Sequence, residues 1–390
     1  MKNWLGITWG ISNRFGWGVY GLNLVLELIK RGEPIPVCFD RIAVETLTPE
    51  TAATLEPIIR FQRENLDKMH RAGKVATVKD AMVLHALGNG MQWSLISQAV
   101  EGDLNVGMIF FEFTECPPEG LARLNRLNGT VAGSTWNADV LKAWGVSNVS
   151  TVFQGVATDL FRPRTRSGRF DGKFAVFSGG KLDFRKGQDI VLAAFRIFAQ
   201  RHSDAVLVTA WHNLWPLTAL AMQHSPHLST LPKVDPLGQL DIATWAAEQG
   251  IPAGQFVDIG MLPNHEMPAV LAEVDLAVFP NRCEGGTNLV AMEAMACGVP
   301  CVLAANTGQL DLVDDARCYR LTRQDAVSLP GTGTEGWGES SVEELLEAME
   351  RAYANRAEAR TKGQAGADFM REWSWSNQIG KLMDVLETHC

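Results

Sequence analysis

Two carboxylates and a pair of glycines stand close together in the stretch Leu276–Leu303, LAVFPNRCEGGTNLVAMEAMACGVPCVL. The runs 276–279, ended by Pro280, and 301–304, after Gly298 and Pro300, are short and apolar, as strands of a buried parallel sheet are. Between them, about Asn288 to Cys297, the sequence predicts a helix that is apolar on nearly every side, so Glu293 must be buried with it. An unpaired buried carboxylate costs roughly several kcal/mol. Glu293 is therefore either satisfied by a neighbouring side chain or reserved for the hydroxyls of a ligand. Upstream, Gly285 and Gly286 let a ligand approach the backbone, and the N–H groups of Gly286, Thr287, Asn288 and Leu289 at the helix start form an anion site. Phosphate plus sugar hydroxyls suits these features.

A second stretch repeats the theme. Residues 174–178 predict a strand, 188–199 a helix, and GGKLDFRKG between them carries Lys181 and Lys186. Strand, glycine turn, two cations and helix make a site for phosphate, although two solvated lysines on a loop are the plainer reading. The spacing is not that of GxxxxGK[ST]. His85 follows a predicted strand, 81–84, and either points into the crevice at the strand's carboxyl end or sits satisfied in the core. Residues 16–21, GWGVYG, fit GxGxxG, with Asp40 at the end of the next strand, as in a fold that binds NAD. Against that reading, residues 10–15 intervene between strand and first glycine, where the dinucleotide fingerprint has a tight turn.

The elements that must position these residues alternate strand and helix from the first strand, 5–9, onward, which is the α/β pattern. The segment 162–173, RPRTRSGRFDGK, is polar and basic, as linkers are. The expected domains are 1–163, 164–365 and a terminal helical segment, 366–390. The helix within 49–74 ends in a basic half, 58–74. There Ile58, Ile59, Leu66 and Met69 offer an apolar stripe for a membrane surface, although a charged helix face is more often simply solvated.

With 390 residues the chain can bury two cores. Its net charge of −9 argues against nucleic acid as a partner. Seven scattered cysteines, without metal-binding spacing, suit a reducing compartment. The N-terminus, MKNWLGITWG, has no apolar core of signal-peptide length, and no apolar run reaches membrane-spanning length, so the expectation is a cytoplasmic protein able to touch the inner membrane face through 58–74. The twelve tryptophans read as packing residues, and no spacing marks any of them as a sugar platform.

The stretch EGGTNLVAMEAMACGVP resembles the donor-site signature of the retaining glycosyltransferase family 4, whose members have the two-domain GT-B fold. The resemblance implies two Rossmann-like domains facing a cleft, with a C-terminal helix crossing back to the first domain. It gives Glu293 the nucleotide ribose and Glu284 the transferred sugar. Eight residues separate the two here, one more than in the family pattern, and the Gly285–Gly286 turn is expected to bulge outward and absorb the extra residue. Lys181 falls at the place of a diphosphate-binding arginine and Lys186 at that of a lysine. Gly18 belongs to the Gly-rich loop after the first strand, Gly260 and Met261 to the backbone beside the base, and His85 to the neighbourhood of acceptor and sugar. The activity implied is retaining transfer of a hexose-type sugar from a UDP- or GDP-sugar to a glycan, lipid-linked or small-molecule acceptor, in cell-surface polysaccharide or glycoconjugate biosynthesis; with no DxD-type metal motif beside these residues, metal-independent chemistry is expected. No cofactor is expected. The alternatives are a sugar-nucleotide epimerase of the same fold and an NAD-dependent oxidoreductase.

Overall fold

The structure is a computed structural model that describes residues 2–72, 75–212, 214–235 and 238–389, with the side chains of 65–72 left out. Two compact units divide the chain. Unit 1 comprises Met1–Gly155, Leu329–Glu335 and Trp373–Cys390, and unit 2 comprises Val156–Ser328 and Gly336–Glu372. The expected boundaries at 163/164 and 365/366 thus fall at 155/156 and 372/373. Packing explains the first difference: Val156 and Phe161 are buried, and Pro163 lies against Gly298 of unit 2. The segment expected as a linker is tied down as well. Buried Glu273 accepts the backbone N–H groups of Ser167, Gly168 and Arg169, and Arg166 pairs with Asp275 at 3.0 Å.

Unit 1 begins with β1 (Trp4–Ile7), α1 (Gly16–Arg31), β2 (Ile35–Cys38), α2 (Pro49–Ala72) and β3 (Ala76–Leu87). It continues with α3 (Leu95–Ala99), β4 (Val100–Ile109), α4 (Pro118–Leu124), β5 (Gly129–Ala132), α5 (Thr135–Ala143) and β6 (Val149–Thr151). The strands form one parallel sheet in the order β2-β1-β3-β4-β5-β6. On α2, Ile59 is buried in the unit's core, which removes it from the expected membrane stripe. Leu66 and Met69 lie outside the described side chains, as do residues 73 and 74.

Unit 2 holds β7 (Phe174–Gly179), α6 (Gln188–Arg201), β8 (Ala205–Ala210), α7 (Ile242–Glu248), β9 (Phe256–Asp258) and α8 (Met267–Leu271). It goes on with β10 (Leu276–Phe279), α9 (Leu289–Ala296), β11 (Cys301–Ala304), β12 (Cys318–Leu321), β13 (Gln324–Ala326), β14 (Gly338–Ser340), α10 (Val342–Ala354) and α11 (Arg356–Arg371). Its parallel sheet runs β12-β11-β10-β7-β8-β9, with β13 and β14 as a separate antiparallel pair. Every residue of β7, β10 and β11 is buried. Apolar runs without alternation give this result when helices cover both faces of a sheet.

The last helix, α12 (Trp375–Glu387), returns to unit 1 and packs on α1. Trp375 meets Tyr20 edge-on at 5.3 Å, and Trp373 stacks on Phe153 at 4.5 Å. No helix among the described residues is long and apolar enough to cross a membrane.

Candidate functional site

Strand order in unit 2 reverses between β7 and β10, the first strand and the fourth. In open α/β sheets the crevice outside the carboxyl ends at such a switch point is where ligands bind. The loops that leave these two strands carry both groups of residues singled out in the sequence.

After β7 the chain turns through Gly180, at φ 108°, to a short 3-10 turn, Phe184–Lys186. Asp183 caps that turn by accepting the N–H of Arg185 at 3.3 Å. Gly187 follows at φ 69°, and a Cβ there would lie 2.2 Å from the carbonyl oxygen of Pro280. Only glycine fits, and its small size brings Lys186 against the loop after β10. Lys186 Nζ is 2.5 Å from Glu284 Oε1 and Arg185 Nη1 is 3.3 Å from Glu284 Oε2. Asn281 Nδ2 also donates to Oε1. Burial pushes the Glu284 carboxyl up, but Lys186 and Arg185 outweigh it and hold the group below the usual carboxylate range. Burial, with Arg185 and Lys181 nearby, leaves Lys186 below an ordinary lysine in spite of Glu284. Lys181 is the more exposed cation, with Nζ 3.2 Å from Asp183.

The chain bends at Gly285 and Gly286 with a positive φ at neither, and the positive φ of this loop falls at Asn288, φ 61°, a residue type that tolerates the left-handed region. Asn288 Oδ1 caps α9 by accepting the N–H of Ala291, and its Nδ2 donates to Gln309. Thr287 is fully buried with its hydroxyl 3.0 Å from Met292 Sδ. Both side chains point inward and brace the loop, so what Gly286–Leu289 offers a ligand is backbone. Across the loop, Thr307 sits at φ 40°, a strained position for a β-branched residue, and its hydroxyl accepts the N–H of Glu284 at 2.9 Å.

Glu293 is buried on α9, and among the described residues one donor reaches its carboxylate, Asn264 Nδ2, at 2.6 Å. Burial pushes its pKa up to about 8. Asn264 follows the loop that carries Gly260, at φ 68°, and Met261, which is exposed. The hydrogen bond therefore brings the 260–264 loop onto the glutamate expected to hold the ribose. Asp258, at the end of β9, accepts the N–H of Gly260 at 3.0 Å and binds His212 Nε2 at 2.7 Å.

Two candidates in unit 1 are placed differently from the expectation. Gly18 lies in the first turn of α1 and not in a loop, because that helix already starts at Gly16. A Cβ on Gly18 would come within 2.9 Å of the Ser12 backbone, and one on Gly21 within 2.7 Å of Trp9 Nε1. Close helix packing accounts for this glycine pattern, and the tight strand-to-helix turn of the NAD fingerprint is missing. His85 is inside β3, which pairs with β4 as far as Leu87. It is buried, stacked on Trp93 at 5.3 Å, with Nε2 3.0 Å from Asn105 Oδ1. Its Nδ1 has no hydrogen-bond partner among the described residues, so the ring is buried within the strand but not fully satisfied; burial lowers its pKa.

Sequence reasoning missed Arg185, Asn264, Asn281, Thr307 and Arg282. Arg185 had a signal, being a third cation in the loop that already held Lys181 and Lys186. Asn264, Thr307 and Arg282 become visible only when distant segments are brought together, and Asn281 bonds to Glu284 three residues on, a local contact that no motif marks.

The family model for glycosyl transferases group 1 matches residues 162–362, just over half of the 390. A GDP-mannose-dependent alpha-(1-6)-phosphatidylinositol monomannoside mannosyltransferase of Mycolicibacterium smegmatis is 27% identical over 248 residues, 60% of this chain and 54% of its own. D-inositol 3-phosphate glycosyltransferase 1 of Catenulispora acidiphila is 28% identical over 266 residues, 65% of this chain and 56% of its own. The chain thus spans about half the length of the curated relatives it matches. Sucrose-phosphate synthase from Thermosynechococcus elongatus superposes with a TM-score of 0.66 at 14% identity, covering 99% of this chain and 98% of its own. Anabaena HepE in complex with UDP-glucose gives 0.63 at 14%, covering 99% of each. At that identity the likeness is one of fold, and the fold is GT-B. By its matched half and its two parallel sheets, the chain belongs to the family of glycosyl transferases group 1.

Proposed function

We propose that this chain transfers a hexose-type sugar from a UDP- or GDP-sugar to a glycan, lipid-linked or small-molecule acceptor, with retention of anomeric configuration. The observation that carries the reading is the meeting of Lys186 and Arg185 with Glu284 at the switch point of unit 2, with Lys181 on the same loop. When the bond from sugar to diphosphate breaks, positive charge develops on the sugar carbon and negative charge on the departing phosphate. Cations already fixed at that place lower the barrier without reorganisation. In this reading the protein's own Lys181, Arg185 and Lys186 neutralise the leaving group, and no metal ion is assigned a role. Three donors reach the Glu284 carboxylate, which accepts about four, so one place is left for a sugar hydroxyl. Glu293 and the backbone at Gly260 and Met261 take the nucleoside, and unit 1 takes the acceptor. The UDP-glucose held by HepE and the GDP-mannose named for the mycobacterial relative support the donor class. The lipid and inositol phosphate in the relatives' names support an acceptor rich in hydroxyls, of the kind used in glycoconjugate assembly.

The test is a panel of UDP- and GDP-sugars assayed for enzyme-dependent nucleotide release, with and without candidate acceptors, on wild type and Lys186→Ala. One donor should release nucleotide, and the variant should lose about ten- to a hundredfold, the worth of one charge-assisted contact. Release from no donor refutes the reading. Conversion of the sugar without lasting release identifies an epimerase instead.

A further inference from the structure

We infer that Arg282 is a positioning residue that sets the phosphate-binding turn against Glu284. The inference rests on the donor site proposed above. Arg282 is fully buried, and all five of its guanidinium N–H groups have acceptors. Nη1 donates to Phe184 O at 2.6 Å and to Asp189 Oδ1 at 2.8 Å; Nη2 donates to Asp189 Oδ2 at 2.7 Å and to Glu339 Oε1 at 2.8 Å. Nε donates to Glu339 Oε2. The Phe184 ring covers the guanidinium at 3.9 Å. The backbone of Arg282 continues the clamp, its N–H donating to Arg185 O at 2.7 Å and its carbonyl accepting from Gly338 N–H at 3.0 Å.

Each acceptor belongs to an element that bounds the site. Phe184 opens the turn that presents Arg185 and Lys186, Asp189 stands in the first turn of α6 just beyond it, and Glu339 is on β14. Two residues after Arg282 comes Glu284. One planar group therefore fixes the distance between the cations and the carboxylate they meet. Asp189, His227 and Glu339 bring potential ligand atoms within 4.8 Å of one another, and it is the guanidinium of Arg282 that supplies their positive charge. A lysine keeps that charge but cannot reach two carboxylates and a carbonyl at once.

The experiment compares wild type with Arg282→Lys by calorimetric binding of UDP and GDP against UMP and GMP. It adds a substrate-free readout, the pH profile of Lys186 acetylation followed by peptide mass spectrometry. The expected result is about a tenfold loss of nucleoside diphosphate affinity, with monophosphate affinity within about twofold and a shifted Lys186 profile. Equal weakening of both nucleotides, or an unchanged Lys186 profile, overturns positioning, since general damage does not discriminate the second phosphate. If wild type binds no nucleotide, the donor-site reading fails on its own, and the Lys186 profile alone decides whether Arg282 sets that lysine. Should Arg282→Lys not fold, Glu339→Gln, which loosens one side of the same guanidinium, takes its place with the same readouts and the same overturning results.

Discussion

Glu293 makes the stability of unit 2 depend on pH in a direction that can be worked out beforehand. Its carboxyl is raised to about 8 by burial, with Asn264 only partly opposing, against 4.5 for an ordinary glutamate. A raised folded pKa means the group's contribution is fully present below pH 4.5 and is lost as pH rises through the folded value. At about 1.4 kcal/mol per pH unit, the span from 4.5 to about 8 caps that loss at about 5 kcal/mol. Glutamine has the same shape, keeps an acceptor for Asn264 and does not ionise. Glu293→Gln should therefore match wild type within about 1 kcal/mol at pH 5 and gain about 3–4 kcal/mol on it by pH 9. For a unit of this size that is on the order of 10 °C in Tm. Thermal melts of both proteins at half-unit steps of pH are the assay. A wild-type to variant difference that stays flat from pH 5 to 9 would refute the argument, because the carboxyl would then ionise alike in folded and unfolded chains.

The other predictions are these. Lys186→Ala should weaken nucleoside diphosphate binding by about 1.5–3 kcal/mol, read by calorimetry. Gly18→Ala drives a methyl into the Ser12 backbone and should destabilise unit 1 by about 1–3 kcal/mol, while nucleotide affinity stays as it was; a lost affinity with unchanged melting would return Gly18 to the ligand. Asp258 holds His212 above an ordinary histidine chiefly through their hydrogen bond, so this pair contributes stability below pH 6.5 that is lost as pH rises through the raised value. Melts of His212→Gln and wild type should therefore converge at alkaline pH.

Much of unit 2 was legible because its signals are local. Burial of β10, β11 and α9 follows from runs that lack alternation, and a carboxylate placed in such a helix must be buried wherever the helix goes. The cations at 181 and 186 could likewise be read from a strand, a turn and a helix in order. Unit 1 misled where local pattern and tertiary packing diverge. GWGVYG has the composition of a ligand loop, yet the same glycines let α1 lie against Ser12 and Trp9. His85 seemed to follow its strand only because pairing with β4 carries β3 on to Leu87, and no residue of β3 itself announces that partner.

What the sequence withholds is chiefly the satisfaction of buried charge. Arg282 and Asp189 are 93 residues apart, and Arg185 and Glu284 are 99. In the sequence each is one more charged residue in a chain that is 20% charged. Burial makes their pairing obligatory, since an unpartnered ion in a low dielectric costs several kcal/mol, roughly. The pairing in turn fixes where the turn after β7 stands relative to the loop after β10. Motifs name the residues that meet a substrate, because those residues sit in loops whose composition is unusual. The residues that hold these loops in register sit beside the motifs, in positions where no spacing rule selects them. Arg282 lies within the stretch read first, two residues before the glutamate that drew attention to it. Its full burial and its five filled hydrogen bonds set it apart from an ordinary surface arginine.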